Sequence, residues 1–163
     1  MRTSGLRFRD PSAGLARFAD DILVGCPACA GPASVRADPD ADRPDATWLR
    51  RRLICAGCGH TAEWDAPRHG AGRLLPHLTG PDDPYFGLPL WLRTDVRRHV
   101  LWAYNARHLT LLEQYVTAEL RERGPAVSCC SMTMIEQLPA WMKAAKHRPD
   151  LLRAIHRLQD RLL

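Results

Sequence analysis

The sequence lacks any apolar run that approaches the roughly 18 residues needed to span a bilayer. Residues 1–25 carry too many charges for a secretory signal peptide. We therefore expect a cytoplasmic protein without a membrane partner. Paired carboxylates, a nucleophile elbow and a phosphate-binding loop are also missing, so the sequence favours a non-enzymatic protein over an enzyme.

The composition is that of a globular protein, with 45% hydrophobic and 25% charged residues in a chain of 163. This length allows one compact domain, or a small metal-stapled module followed by a larger helical one, and we favour the second. The net charge of +5 arises in the second half, where residues 91–163 contain 12 Lys and Arg against 7 Asp and Glu. Such a surplus is typical of proteins with an anionic partner such as DNA or RNA, although an arginine-rich composition gives the same surplus without any ligand.

Two short cysteine motifs dominate the first half of the chain. They are Cys26-Pro-Ala-Cys29 and Cys55-Ala-Gly-Cys58, which in a reducing cytosol hold metal more often than disulfides. A redox dithiol would need a βαβ unit around one pair, and a catalytic zinc would keep an open position. We therefore predict one structural Zn²⁺ bound by all four cysteines, with His60 just outside the coordination sphere.

The segments around the cysteines have the composition of strands. Residues 33–36, 47–54 and 61–64 are predicted to form a small antiparallel sheet, with a Pro- and Asp-rich loop over residues 37–45. In the first cysteine turn Gly31 comes one place later than in the tightest version of such a turn, with Ala30 in between, which we interpret as a tolerated variation. We expect the ion to fix a part of the chain that otherwise lacks a core.

Three consecutive arginines occupy the middle predicted strand. Because side chains alternate along a strand, Arg50 and Arg52 would point to one side and could contact nucleic acid. Trp48 and Trp64 could supply stacking faces for bases. Alternatively, the arginines offset the charge of the thiolates and nearby aspartates, and the tryptophans pack a small core.

Residues 67–93 are rich in proline and glycine, yet residues 84–92 are strongly apolar. A free linker would not carry these aromatics, so we expect a packed connector that joins the two halves. The alternative is a pocket or partner surface. Its candidate residues are Tyr85, Trp91, Trp102, Asn105 and His108.

The remaining chain has helical periodicity. An apolar stripe predicts one long helix that begins at Thr94-Asp95 and ends at Gly124-Pro125. Cys129 and Cys130 are interpreted as buried thiols, Thr133 and Glu136 as a capping box, and Pro149-Asp150 as the start of the last helix. The cations predicted to contact phosphates here are Lys143, Lys146, Arg153 and Arg157, for which a solvated helix face is the alternative.

These observations predict an α+β protein, in which a small antiparallel zinc-ribbon sheet precedes an α-helical domain built on one long helix. The expected divisions are an N-terminal arm or short helix (1–25), a zinc ribbon (26–66), the connector (67–93) and the helical domain (94–163).

Several stretches carry a resemblance to a known group of proteins. They are residues 83–92, 100–105, 108–109 and 138–143. Together with the cysteines they resemble uncharacterised bacterial proteins described as containing a TFIIB-type zinc ribbon. The resemblance implies a fold and no activity.

Two functions follow as hypotheses. The first is a zinc-stabilised, non-enzymatic nucleic-acid-binding or regulatory protein with a basic surface on the ribbon sheet and the C-terminal helices. The second is a protein–protein adaptor that uses the aromatic connector and the long helix, with zinc purely structural.

Overall fold

The computed structural model describes residues 6–38, 48–122, 124 and 132–163. The strands of this part of the chain are β1 (Arg7–Arg9), β2 (Asp21–Gly25), β3 (Pro32–Ala37), β4 (Arg50–Ile54), β5 (Thr61–Asp65), β6 (Arg68–His69), β7 (Gly72–Arg73), β8 (Leu92–Val96), β9 (His99–Ala103) and β10 (Leu120–Glu122). The α-helices are α1 (Ala106–Thr117), α2 (Ala140–Lys143) and α3 (Arg148–Gln159). The mixed helix and sheet composition confirms the coarse fold class predicted from the sequence.

Four strands form the largest sheet, which is antiparallel in the order β2-β3-β4-β5. The strands predicted over residues 33–36 and 61–64 are confirmed as parts of β3 and β5. Every second residue along these strands points to the same face of the sheet, and that face is buried. Ile22, Val35 and Leu53 on it are exposed by 1% or less. Because an antiparallel sheet can bury one face and leave the other in water, this alternation sets which residues join the core.

The long helix predicted from Thr94 to Gly124 is wrong. Its first part is the β-hairpin β8–β9, and only α1 remains of the helix. The apolar residues that suggested a helix recur in steps of four, as at Val96, Val100 and Tyr104. In the hairpin Val100 lies opposite Asp95, the neighbour of Val96, so Val96 and Val100 are on opposite faces, although a helix would place both on one face. The hairpin turn is marked only by Arg97, whose φ is +56°, and arginine gives no turn signal.

Asn105 begins α1 in place of the predicted Thr94-Asp95 cap. Its backbone is extended and its side-chain oxygen accepts a hydrogen bond from the His108 N–H at 3.0 Å. This contact satisfies one of the free N–H groups in the first turn of the helix, as an N-cap does. The same side chain donates to the carbonyl oxygens of Phe18 and Asp21 at 2.7 and 2.8 Å, which ties the start of the helix to the N-terminal region.

Residues 6–25, predicted as part of an arm or short helix, contribute strands β1 and β2 with a single 3₁₀ turn at Leu15–Phe18 between them. β1 pairs in parallel with β10, so that Arg7 lies opposite Leu120. Phe8 of β1 is buried and packs edge-on against Tyr115 of α1, with ring centres 5.5 Å apart. The N-terminal region is therefore built into the fold in the described residues.

The sheet and the helices share one hydrophobic core. α1 contributes Leu109 and Leu112 and packs against α3, which contributes Leu151 and Ile155. Ile22, Val24 and Leu53 of the sheet belong to the same cluster of buried side chains. The sheet is consequently supported by apolar packing as well as by its turns.

The proline-rich connector packs along β2. The Trp91 N–H donates to Leu23 O and the Gly25 N–H to Pro89 O, both at 2.9 Å, while Leu90 is 2% exposed. Within the connector the buried Asp83 carboxylate accepts the N–H groups of three following residues, Tyr85, Phe86 and Leu88. Burial raises the pKa of Asp83 despite these hydrogen bonds. The connector is an ordered segment that lies across the core.

The reciprocal hydrogen bonds of the predicted capping box in the C-terminal region are confirmed, although residues 134–137 form a turn and not the short helix expected there. The Thr133 hydroxyl accepts the Glu136 N–H at 3.2 Å, and the Glu136 carboxylate accepts the Thr133 N–H at 2.9 Å. α3 begins with Pro149 in its first turn, as predicted. Leu162, near the end of the chain, is 39% exposed, and the residues around Cys129 and Cys130 lie outside the described ranges. The helices in the described part of the chain fall short of the length and apolar character that a membrane-spanning helix needs.

Candidate metal centre

The four predicted ligands lie together at one end of the β2–β5 sheet. All four Sγ atoms are within 4.8 Å of one another. The distances between Cys26 and Cys58 and between Cys29 and Cys55 are both 3.7 Å. A tetrahedral ion with metal–sulfur bonds near 2.3 Å places its sulfurs about 3.8 Å apart, so the arrangement fits a single metal ion.

Two similar turns present the sulfurs. In the first turn, between β2 and β3, the Ala30 N–H donates to Cys26 O and the Cys26 N–H to Gly31 O, at 2.9 and 2.7 Å. In the second turn, between β4 and β5, the Gly59 N–H donates to Cys55 O and the Cys55 N–H to His60 O, both at 2.9 Å. The two turns therefore share the same pattern of backbone hydrogen bonds, with Ala30 in the place of Gly59.

The fifth residue of each turn has a left-handed backbone. φ is +61° at Ala30 and +74° at Gly59. Glycine adopts this conformation without an energetic penalty, whereas a residue with a Cβ adopts it at a cost in free energy. Ala30, predicted from the sequence to be a tolerated variation, thus occupies the position at which both turns have a positive φ.

The first cysteine of each motif is buried and the second is exposed. Cys26 and Cys55 are 3% and 1% exposed, while Cys29 and Cys58 face solvent. A backbone hydrogen bond from Cys58 holds the pKa of Cys55 down at about 7. His60 N–H lowers the pKa of Cys58, but the hydrogen bonds among the sulfurs and burial outweigh it and raise that pKa to about 12. A bound metal ion would replace the hydrogen bonds between the sulfurs, because it binds each cysteine as a thiolate that has lost its proton.

The arginines of β4 have partners within the chain. The guanidinium nitrogens of Arg50 lie 3.5 Å from a carboxylate oxygen of Asp38 and 3.0 Å from one of Asp65. Those of Arg52 lie 3.2 Å from the other carboxylate oxygen of Asp38. Arg52 also meets Glu63 at 3.4 Å. The Asp38 side chain, at 3% exposure, is buried between the two arginines. These contacts agree with the alternative in which the arginines offset nearby acidic charge.

Arg51 has a role that was not predicted from the sequence. It is 2% exposed, and its guanidinium carbon lies 4.5 Å from the Tyr85 ring centre and 5.2 Å from that of Trp48. It donates a hydrogen bond to Asp20 O at 3.2 Å. The alternation that places Arg50 and Arg52 on one face sends Arg51 to the other, which is the signal that could have identified it.

The five candidate pocket residues do not form one site. Tyr85 is buried beside Arg51 and packs edge-on against Trp64, whereas Trp91 donates its indole N–H to Arg161 O at 3.4 Å. Asn105 is used as the cap of α1. Trp102 and His108 do come together, with ring centres 5.7 Å apart, and both line a cavity. Since Tyr85 faces inward, it gives no exposed surface to the adaptor hypothesis.

The C-terminal cations differ in their surroundings. Lys143 donates to Glu136 O at 2.8 Å, and Arg153 pairs with Asp150. Lys146 and Arg157 are exposed and form no ion pair with the described residues. These two cations are therefore the ones whose charge remains available to an external anion.

Comparisons of the chain with protein-family models, curated proteins and solved structures gave no match.

Proposed function

We propose that this chain is a zinc-stabilised, non-enzymatic nucleic-acid-binding protein, in which a zinc ribbon supports the fold and a basic surface contacts phosphates. The donor set supports zinc, because four thiolates favour Zn²⁺ over Mg²⁺ or Ca²⁺, which prefer oxygen ligands. A shell of four sulfurs leaves no position open for a substrate, which supports a structural ion. Metal analysis should return about one zinc per chain, and iron in its place would overturn the assignment.

The observation that carries the proposal is a pair of parallel rings at the tip of the β8–β9 hairpin. The His99 and Trp141 rings stack with centres 4.5 Å apart and an interplanar angle of 4°. His99 is exposed, so its outer face is open to a further ring. Aromatic faces of this kind stack on bases of single-stranded nucleic acids regardless of sequence.

The hairpin tip and the C-terminal helices that carry this ring pair also carry cations. Arg97 and Arg153 both pair with Asp150, so two guanidinium groups share one carboxylate. Arg98 and Lys146 are exposed and pair with no acid among the described residues. We define the hairpin–helix surface as Arg97, Arg98, His99, Trp141, Lys146 and Arg153.

Acidic residues reduce the positive charge of this surface without cancelling it. Asp95 is exposed on β8 and adds a negative charge near the hairpin tip, in addition to Asp150. Four cations against two acids still leave an excess of positive charge. That combination of ring face and cations is the one expected of a phosphate-tracking site.

The ribbon arginines are weaker candidates than the sequence alone suggested. Arg50 and Arg52 would have to leave Asp38 and their other carboxylate partners before they could contact a phosphate. The exchange of one anion for another brings little net gain in electrostatic energy. We therefore place the binding surface on the hairpin and the C-terminal helices.

Binding to fluorescein-labelled dT20 and rU20 tests the proposal by anisotropy over a range of KCl concentrations at pH 7.5. We expect a linear decrease of log K with log [KCl], with a slope of about 0.7 per phosphate neutralised. Arg98→Gln and Lys146→Gln should each reduce the slope by about that amount. His99→Ala should weaken binding about tenfold with the slope unchanged, because it removes a stacking face.

Arg68→Gln is the matched control, since Arg68 is an exposed arginine of β6 that is not part of the hairpin–helix surface. It should leave the slope unchanged, as should Arg50→Gln. Absence of binding to either oligonucleotide refutes the proposed function, and binding that is independent of salt refutes the contacts with phosphates. A slope that shrinks for Arg50→Gln but not for Arg98→Gln would return the site to the ribbon sheet.

A further inference from the structure

A cavity of about 160 Å³ lies between β9, α1 and the segment that leads into α2. Its walls are mainly apolar and include Val100, Trp102, Leu112, Met134, Leu138 and Met142. A protein cavity of about 150 Å³ is large enough to hold benzene. The cavity therefore has room for a ligand of roughly six to ten non-hydrogen atoms.

One polar ring is built into this wall. His108 is 2% exposed and is fixed by Phe18, which stacks on it with ring centres 5.2 Å apart, and by the edge contact with Trp102. Its Nδ1 accepts the Tyr104 N–H at 3.1 Å. A neutral imidazole whose Nδ1 accepts a hydrogen bond carries its proton on Nε2.

The Nε2 proton of His108 has no acceptor among the described residues, although the ring lines the cavity. The Nε2 atom is not among the fully buried polar atoms that lack a partner, so it is open to the cavity, where a ligand that supplies an acceptor gains a hydrogen bond in exchange for water. Burial also lowers the pKa of His108 to about 4, which keeps the ring neutral near pH 7.

We propose that this cavity binds a small uncharged molecule that has an aromatic or branched aliphatic body and one hydrogen-bond acceptor facing His108 Nε2. Aromatic and thioether side chains such as Trp102, Met134 and Met142 provide favourable contacts for a ring. An ionised ligand is disfavoured, because a charge moved into an apolar wall without a partner is costly.

Two probes of nearly equal shape separate the acceptor from the apolar body. Acetophenone carries a carbonyl oxygen, and α-methylstyrene carries a CH₂ group in its place. Each is titrated into the full zinc-loaded chain without oligonucleotide, and the indole N–H signals of Trp102 and Trp141 are followed by NMR. We expect saturable one-to-one binding of both, with acetophenone about fivefold tighter because of its hydrogen bond.

A cavity-filling variant and its control locate the binding. Leu78 is partly buried and lines the cavity, whereas Leu75 is 57% exposed and does not line it. Leu78→Trp should weaken both probes at least about tenfold, and Leu75→Trp should leave binding unchanged. Absence of saturable binding in the unmodified chain, or unchanged binding in Leu78→Trp, overturns the cavity as a site. Equal affinity for the two probes overturns the role of His108.

Discussion

The two ends of the β2–β5 sheet are held by different chemistry. At one end, four sulfurs from two turns converge within 4.8 Å. At the other, Arg51 is enclosed by the rings of Trp48 and Tyr85, and Arg50 and Arg52 bracket the buried Asp38. If the four cysteines hold a metal ion, the sulfur end needs a group from solution, whereas the contacts of the arginine end are made by residues of the chain itself. The difference suggests that loss of metal should loosen one end and spare the other.

Removal of the metal should have the largest effect. When free zinc is about a thousandfold above its Kd, its removal lowers the free energy of unfolding by about 4 kcal/mol. Hydrogen exchange should then rise in residues 26–31 and 55–60, while the Ala66 N–H, which donates to Leu49 O at 2.8 Å at the arginine end, stays protected. Thermal unfolding and exchange mass spectrometry, with and without chelator, measure both effects.

Cys55→Ser should reproduce the effect of the chelator and should not respond to added zinc. Exchange that rises equally at both ends would contradict the comparison. It would instead support the expectation, drawn from the sequence, that this part of the chain has no core without the ion.

Substitution of Arg51 should be the next largest effect. Arg51→Ala exposes the Tyr85 ring face and removes the positive charge near the buried Asp83, so we expect a loss of about 3 kcal/mol in urea denaturation. Arg50→Ala is the control at the same end, and it should cost no more than about 1 kcal/mol because Arg50 is 43% exposed. Equal losses of stability for the two variants would show that the packing of Arg51 between aromatic rings does not contribute to the free energy of unfolding.

The two cysteine turns allow a finer test of the sulfur end. Gly59→Ala should destabilise the zinc-loaded protein by about 1 kcal/mol, because φ is +74° there while the space for a Cβ is open. Ala30→Gly should stabilise it by up to about 1 kcal/mol, since it relieves the same conformation at φ +61°. Thermal melts at saturating zinc compare the two, and shifts of the same sign would contradict the equivalence of the turns.

The surface ion pair of Arg52 and Glu63 should have the smallest effect. The two groups are 3.4 Å apart, but Glu63 is 60% exposed, so water screens the pair. A double-mutant cycle with Arg52→Gln and Glu63→Gln should give a coupling of about 0.5 kcal/mol or less. A larger coupling would mean that the buried Asp38 and Glu63 act as one network with Arg52.

The sequence predicted the cysteine cluster well because the requirement is local. Two Cys-x-x-Cys turns bring four sulfurs together wherever the flanking strands pair, and the strands around residues 33–36 and 61–64 were recognisable. The capping box at Thr133 and the start of α3 were equally local. Signals of this kind need only a few neighbouring residues.

The rest depended on contacts between distant residues. The β8–β9 hairpin has apolar steps that fit a helix, and its turn at Arg97 lacks glycine, proline or asparagine. The enclosure of Arg51 needs Tyr85 from the connector, 34 positions along the chain. The cavity beside His108 needs side chains from four separate segments, so no periodicity of one segment could reveal it.

The parallel pairing of β1 with β10 has a consequence for synthesis on the ribosome. Arg7 lies opposite Leu120, so the first strand is made more than a hundred residues before its partner. Pairings between strands so distant in the chain form late. Until its partner strand has been made, an unpaired strand can associate with other chains. Translation speed through the second half of the message, or a chaperone that covers residues 7–9, should therefore influence the yield of correctly closed molecules.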